Sequence, residues 1–84
     1  MKVRLKWVED ASFLAQSESG HAVLMDGPVE GGGRNLGPRP MEMLLMGTAG
    51  CSAYDVVHIL KKSRADIRDC VVNVDAERAS EEPK

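Results

Sequence analysis

Two cysteines, two histidines and a few carboxylates are the residues of this 84-residue chain that could do chemistry. Cys51 is the leading nucleophile candidate. It stands in the run Gly47-Thr48-Ala49-Gly50-Cys51-Ser52-Ala53, with Tyr54, Asp55 and His58 following at three, four and seven residues. On a helix those offsets share one face. A thiolate, not a thiol, is the attacking species, and a helix N-terminus or a nearby cation favours it. The sequence around Cys51 supplies neither: Asp55 opposes a thiolate, and His58 lies about 10 Å further along a helix axis. Spacing within the chain therefore builds no activated nucleophile, and a small packed thiol among alanines and glycines is the plain alternative. Cys70 follows Asp69 and reads as a sheet-facing thiol. The separation of the two cysteines is not a zinc spacing, so neither a metal site nor a cofactor is expected.

Glu42 is the lone charge between Met41 and Ala53. Near a helix start it interacts favourably with the helix dipole, and Arg34, Arg39 or an arginine of another chain would suit it as a partner. Relative to Cys51 it falls on the opposite face of a straight helix, so joint action requires a second chain or a bend near Gly47. His21 reads as a solvated or satisfied side chain, and His58 as a partner for Asp55. Met41, Met43 and Met46 suit adaptable packing.

The elements that must position these residues follow from periodicity. Val3, Leu5 and Trp7 alternate with Lys2, Arg4 and Lys6, which predicts a strand with one buried face. Glu9-Asp10 reads as a turn, Ser12 to Ala15 as a second extended piece, and Glu18-Ser19-Gly20 as another turn. His21 to Met25 completes a three-stranded antiparallel meander. Residues 26–39, DGPVEGGGRNLGPR, predict a surface loop; without GK[ST] or GxGxxG spacing it reads as a mobile linker rather than a phosphate cradle. Pro40 suits the first helical turn, and one helix runs from Met41 to about Lys62, where Lys61 and Lys62 complement its negative end. Arg64 to Arg68 reads as a connection, Cys70 to Glu77 as a fourth strand, and Ser80 to Lys84 as a frayed polar tail.

That helix lacks a polar face. Met43, Leu44, Leu45, Met46, Ala49, Cys51 and Ala53 point in nearly every direction, so it demands cover on all sides. Four strands in one sheet cover only one side. The remainder must come from a partner subunit or from a segment outside these residues, and a stable monomer of the 84 residues is not expected.

Composition narrows the function classes. Eleven basic against thirteen acidic residues give a net charge of −2, which argues against nucleic acid and anionic membrane surfaces. Three aromatic residues, Trp7, Phe13 and Tyr54, are too few for base-stacking platforms. The first ten residues have no apolar signal-peptide core, and no window approaches the ~18 apolar residues of a membrane span. With too few cysteines for a disulfide-stapled domain, a cytoplasmic setting is expected.

The block PMEMLLMGTAGCSAYDVV at 40–57, the preceding LMDGP and Gly-Pro-x-Pro approach, and the later DCVVNVDAER together resemble the OsmC-like family. That family comprises osmotically inducible protein C and the organic hydroperoxide resistance proteins. The resemblance implies an α+β fold: an antiparallel three-stranded meander, one long buried central helix, and a further strand. It also implies that residues 1–84 are one OsmC-like domain stopping after its first helix–strand unit, completed by dimerisation, by a missing C-terminal half, or by both. Family peroxidases use a helix cysteine that attacks the peroxide and passes through a sulfenic acid to a disulfide. Cys51 matches that position. Glu42 falls at or next to the position of the family's glutamate, as the residue that would orient an arginine and the thiolate. Two features depart from the pattern: residues 9–25 hold no arginine, and Cys70 does not match the context of the second family cysteine. The expected function is thiol-dependent reduction of organic hydroperoxides through Cys51 in a full-length, homodimeric parent, with the 84 residues alone inactive. The alternative is a non-catalytic dimeric binding or scaffold protein with a small-ligand pocket at its interface.

Overall fold

The computed structural model describes residues 1–77. It divides into two compact units, one of Met1–Met46 and a second from Gly47 onward.

The first unit holds the meander. Strands β1 (Val3–Glu9), β2 (Ser12–Ser17) and β3 (Ala22–Met25) form one antiparallel sheet in the order β1-β2-β3. The register is set by the apolar alternation: Val3, Leu5 and Trp7 stand opposite Ser17, Ala15 and Phe13, and Phe13 and Ala15 stand opposite Met25 and Val23. Directly paired residues share a face, so these side chains make one apolar sheet surface. Arg4 and Gln16 pair on the other face, where Arg4 Nη1 donates to Gln16 Oε1 at 3.2 Å. A register shift between Trp7 and Glu9 marks a bulge before the turn at Asp10, and Trp7 Nε1 closes that turn on the Asp10 carbonyl at 2.9 Å. The expected alternation is present, but the expected burial is not. Every residue of β1 is exposed, with Val3, Leu5 and Trp7 at 70%, 56% and 61%.

The segment after β3 is not the free linker predicted from its glycines and prolines. It contains a 3-10 turn at Val29–Gly31 and closes around Asp26, which is only 1% exposed. The Asp26 carboxylate accepts hydrogen bonds from the backbone N–H groups of Gly27 at 2.7 Å, Arg34 at 3.2 Å and Leu36 at 3.2 Å. Its own N–H donates to the Pro38 carbonyl at 3.0 Å. One carboxylate thus ties together both ends of the loop. Gly33 and Gly37 allow this closure because a Cβ on either would collide with backbone, at the Gly27 and Leu24 carbonyls respectively.

Helix α1 runs from Pro40 to Lys62, beginning in the first unit and continuing through the second. Its ends are specified locally. Pro40 opens the first turn, where a missing N–H costs nothing, and Glu42 at the third helical position accepts from the Arg39 backbone N–H at 2.9 Å. This is the half of a capping box that the N3 side chain supplies. At the other end Arg64 takes a left-handed conformation, φ 62°. The N–H groups of Arg64 and Ala65 donate to the carbonyls of Lys61 and Leu60, each at 3.0 Å, the two bonds of a Schellman motif.

The helix has no buried residue among the described residues; Leu44, Tyr54, Val56 and Ile59 are all exposed by half or more, as expected of a helix whose cover must come from elsewhere. One expectation about this half needs correction. The fourth strand expected at Cys70 to Glu77 does not form, and residues 65–77 carry neither helix nor strand. Val71, Val72 and Val74 have the β-branched composition of a strand, but a strand needs a neighbour to complete its hydrogen bonds, and the only described sheet has three strands. The expectation that no segment approaches a membrane span also changes: α1 is long and apolar enough for one by length and composition alone. The tail at 80–84 lies outside the described residues.

Arg64 holds a backbone conformation that disfavours a side chain by about 1–2 kcal/mol. Arg64→Gly is therefore expected to stabilise the helix end by about 1 kcal/mol, read as a raised denaturant midpoint with unchanged slope.

Candidate functional site

Cys51 sits in the middle of α1 as a free, exposed thiol. Its surroundings follow from the small residues around it. Gly47 and Gly50 have nothing within 4 Å of where a Cβ would stand, so the helix surface beside the cysteine is cut away. The result is a shallow depression of about 430 Å³ lined by Gly47, Gly50, Cys51, Tyr54 and Asp55. A second, larger depression of about 560 Å³ adjoins it and shares Gly50 and Tyr54. His58, Lys61 and Cys70 line that one. His58 stacks on Tyr54, with ring centroids 6.3 Å apart and planes 16° from parallel, instead of pairing with Asp55 as the sequence suggested.

This arrangement presents a thiol with a phenol and a carboxylate beside it, next to a hollow carrying an imidazole, an ammonium and a second thiol. Such a surface can admit a small apolar molecule with one polar reactive group, since the glycines open the backbone and the aromatic ring gives one wall. Cys70 therefore belongs to the site's surroundings. Its sequence context gave no sign of this, because only the chain reversal at Arg64 accounts for its return beside the helix.

Glu42 is placed differently from expectation. Its carboxylate is held by the Arg39 backbone N–H, not by a guanidinium. Arg39 spends its own side chain on Asn35, with Nη1 donating to Oδ1 at 2.5 Å. Arg34 pairs with Glu9 at 2.6 Å, both side chains more than half exposed. Both arginines proposed as partners are thus engaged elsewhere. The capping role was legible in principle, since proline followed two residues later by glutamate is a helix-start signal. Glu42 and Cys51 lie nine residues apart on α1, and no hydrogen bond joins them among the described residues.

The loop that delivers α1 depends on Asp26. Burial disfavours its charged form, but hydrogen bonds from Gly27, Leu36, Ser12 and Arg34 outweigh that and hold its carboxyl below the ordinary value of 3.8. Ser12 is itself only 3% exposed; its Oγ lies close enough to contribute, though without regular hydrogen-bond geometry. A carboxyl whose folded pKa is depressed stabilises the fold above its unfolded pKa, and that contribution disappears as pH falls through the folded value. Thermal stability is therefore expected to fall with pH below 3.8. Asp26→Asn should be less stable at neutral pH and show a flatter acid limb, checked by thermal melts across the pH range.

Residues 31–84 match a protein-family model described as OsmC-like protein. The chain is 50% identical over all 84 residues to the protein named YhfA of Escherichia coli strain K12, and equally to that of Shigella flexneri. It spans 60% of the length of each of these relatives. A solved structure described as structural genomics superimposes with a TM-score of 0.81 at 51% identity, covering 93% of this chain and 56% of the other.

Proposed function

Because the chain belongs to the OsmC-like family, we propose that it is part of a thiol-dependent reductase of organic hydroperoxides, with Cys51 as the nucleophile. The observation that carries this reading is the free thiol at Cys51, exposed beside two glycines that open a depression next to it. The Cys51 sulfur attacks the terminal oxygen of the hydroperoxide. A sulfur–oxygen bond forms as the oxygen–oxygen bond breaks, and the alkoxide leaves as an alcohol after taking a proton, leaving Cys51 as a sulfenic acid. Glu42 is a positioning residue in this reading: it fixes the start of the helix that carries Cys51 and supplies a charge to orient an arginine. The apolar surfaces of α1 and the sheet are covered by protein in a homodimer of a cytoplasmic parent, not by lipid.

A second reading is a dimeric binding or scaffold protein with a small-ligand pocket at its interface. The engagement of Arg34 with Glu9 and of Arg39 with Asn35 favours it, because each of those guanidiniums already has a partner.

The two readings part on hydroperoxide consumption by the protein isolated from its source. Cys51→Ser is expected to lower it to the rate of buffer alone. Glu42→Gln preserves the cap, since glutamine serves equally in a capping box, and is expected to slow consumption while leaving helix stability unchanged. Equal consumption by Cys51→Ser and the unmodified protein would favour the binding reading.

A further inference from the structure

Asp26 is the one aspartate in the sequence followed by glycine; the others precede alanine, valine, isoleucine or cysteine. An aspartyl side chain can be attacked by the amide nitrogen of the next residue, closing a five-membered imide. A side chain on that next residue hinders the closure, and glycine carries none. The most reactive aspartyl bond of the chain therefore stands at the residue that latches the loop before α1.

The folded loop holds this bond in a geometry that does not react. Attack draws on the electron density above the plane of the peptide, a plane that resonance keeps rigid. Gly27 instead points its N–H at Asp26 Oδ1, at 2.7 Å, so the carboxyl meets the hydrogen and not the face of the nitrogen. Rotation out of this arrangement is blocked on both sides. The Asp26 N–H donates to the Pro38 carbonyl at 3.0 Å, and the Gly27 carbonyl accepts from the Asn35 N–H at 3.1 Å. Asp26 Oδ2 is occupied by the N–H groups of Arg34 and Leu36, each at 3.2 Å. Those bonds favour the carboxylate, whereas imide closure expels water and proceeds from the protonated acid.

We propose that Asp26–Gly27 is a modification site, latent while the loop is latched and forming isoaspartate spontaneously once the loop opens. The Gly27 nitrogen bonds to the side-chain carbonyl carbon of Asp26, and the hydroxyl of that carbon leaves as water with the amide proton. Solvent water then adds to the main-chain carbonyl carbon of the imide, and the carbon–nitrogen bond there breaks. The chain now continues through the former side chain, one carbon longer, and a free carboxylate remains on Cα. Nothing is oxidised or reduced. Because that carboxylate stands one carbon closer to Cα, the donors of Gly27, Arg34 and Leu36 no longer converge on it. A single opening is thereby recorded irreversibly, as chemical change trapping an opened state.

The test incubates the protein isolated from its source in mildly acidic buffer, native and in urea. Isoaspartate at Asp26 is followed by fragmentation of the tryptic peptide 7–34. In urea, Asp26 is expected to isomerise ahead of every other aspartate. In the native protein it should do so more than about tenfold more slowly, since only the open fraction reacts. Gly27→Ala puts a Cβ in ordinary contact with Ala11 Cβ at 3.5 Å, so it should keep the native melting temperature and lose the reaction in urea. Gly33→Ala sets a methyl against the Gly27 carbonyl and is expected to bring the native rate towards the urea rate. The two rates of the unmodified protein decide the matter if that variant does not fold. Equal rates in the native protein and in urea would overturn the latch. Another aspartate reacting first in urea would overturn the site. Isomerised protein that melts at the unmodified temperature would overturn the loss of the latch.

Discussion

Everything in this chain depends on one unmet requirement: two apolar surfaces that the described residues do not cover. The sheet presents Val3, Leu5, Trp7 and Val23 to its surroundings, and α1 presents Leu44, Met46, Val56 and Ile59. Burying a side chain of this size is worth about 1.5–3 kcal/mol, and among the described residues no apolar side chain is fully buried. What the chain does bury is polar, Asp26 and Ser12. The local order is therefore supplied by hydrogen bonds, by helix caps and by one loop closed on a carboxylate, while the apolar surfaces stay uncovered among the described residues.

That division explains how much of the fold could be read from the sequence. The strands were legible because period-two alternation survives even where neither face is covered, and the helix was legible because Pro40 opens an unbroken apolar run that ends at two lysines. The cover was legible as a lack, from a helix with no polar face. The loop was misread because composition alone does not show where a single buried carboxylate will gather backbone donors; Asp26 looks like an ordinary turn residue until the N–H groups of Arg34 and Leu36 are seen on it. The stretch from Cys70 to Glu77 was misread for a different reason. Strand propensity describes a residue's fit to a pleated surface, and without a neighbouring strand that fit has nothing to act on.

The candidate site divides along the same line. Cys51 could be found from its small neighbours, because glycine and alanine on a helix leave the backbone open to approach. The place of Cys70 beside it could not, since that depends on the chain reversal at Arg64, a non-glycine residue in a left-handed conformation that gives no compositional warning. Glu42 shows how one side chain can answer to two demands. Its carboxylate caps α1, and the same cap fixes the start of the helix that carries Cys51.

The central claim is that α1 lies inside a protein interior when the molecule is assembled, with the thiol opening onto a sheltered hollow. Hydrogen exchange of the α1 amides between Leu44 and Leu60, in the protein isolated from its source, tests this most directly. Exchange slower than that of an unstructured peptide by several powers of ten is the expected result, since only packed elements reach such protection. Exchange near the peptide rate would contradict the claim, because an uncovered helix of this length is marginal in water.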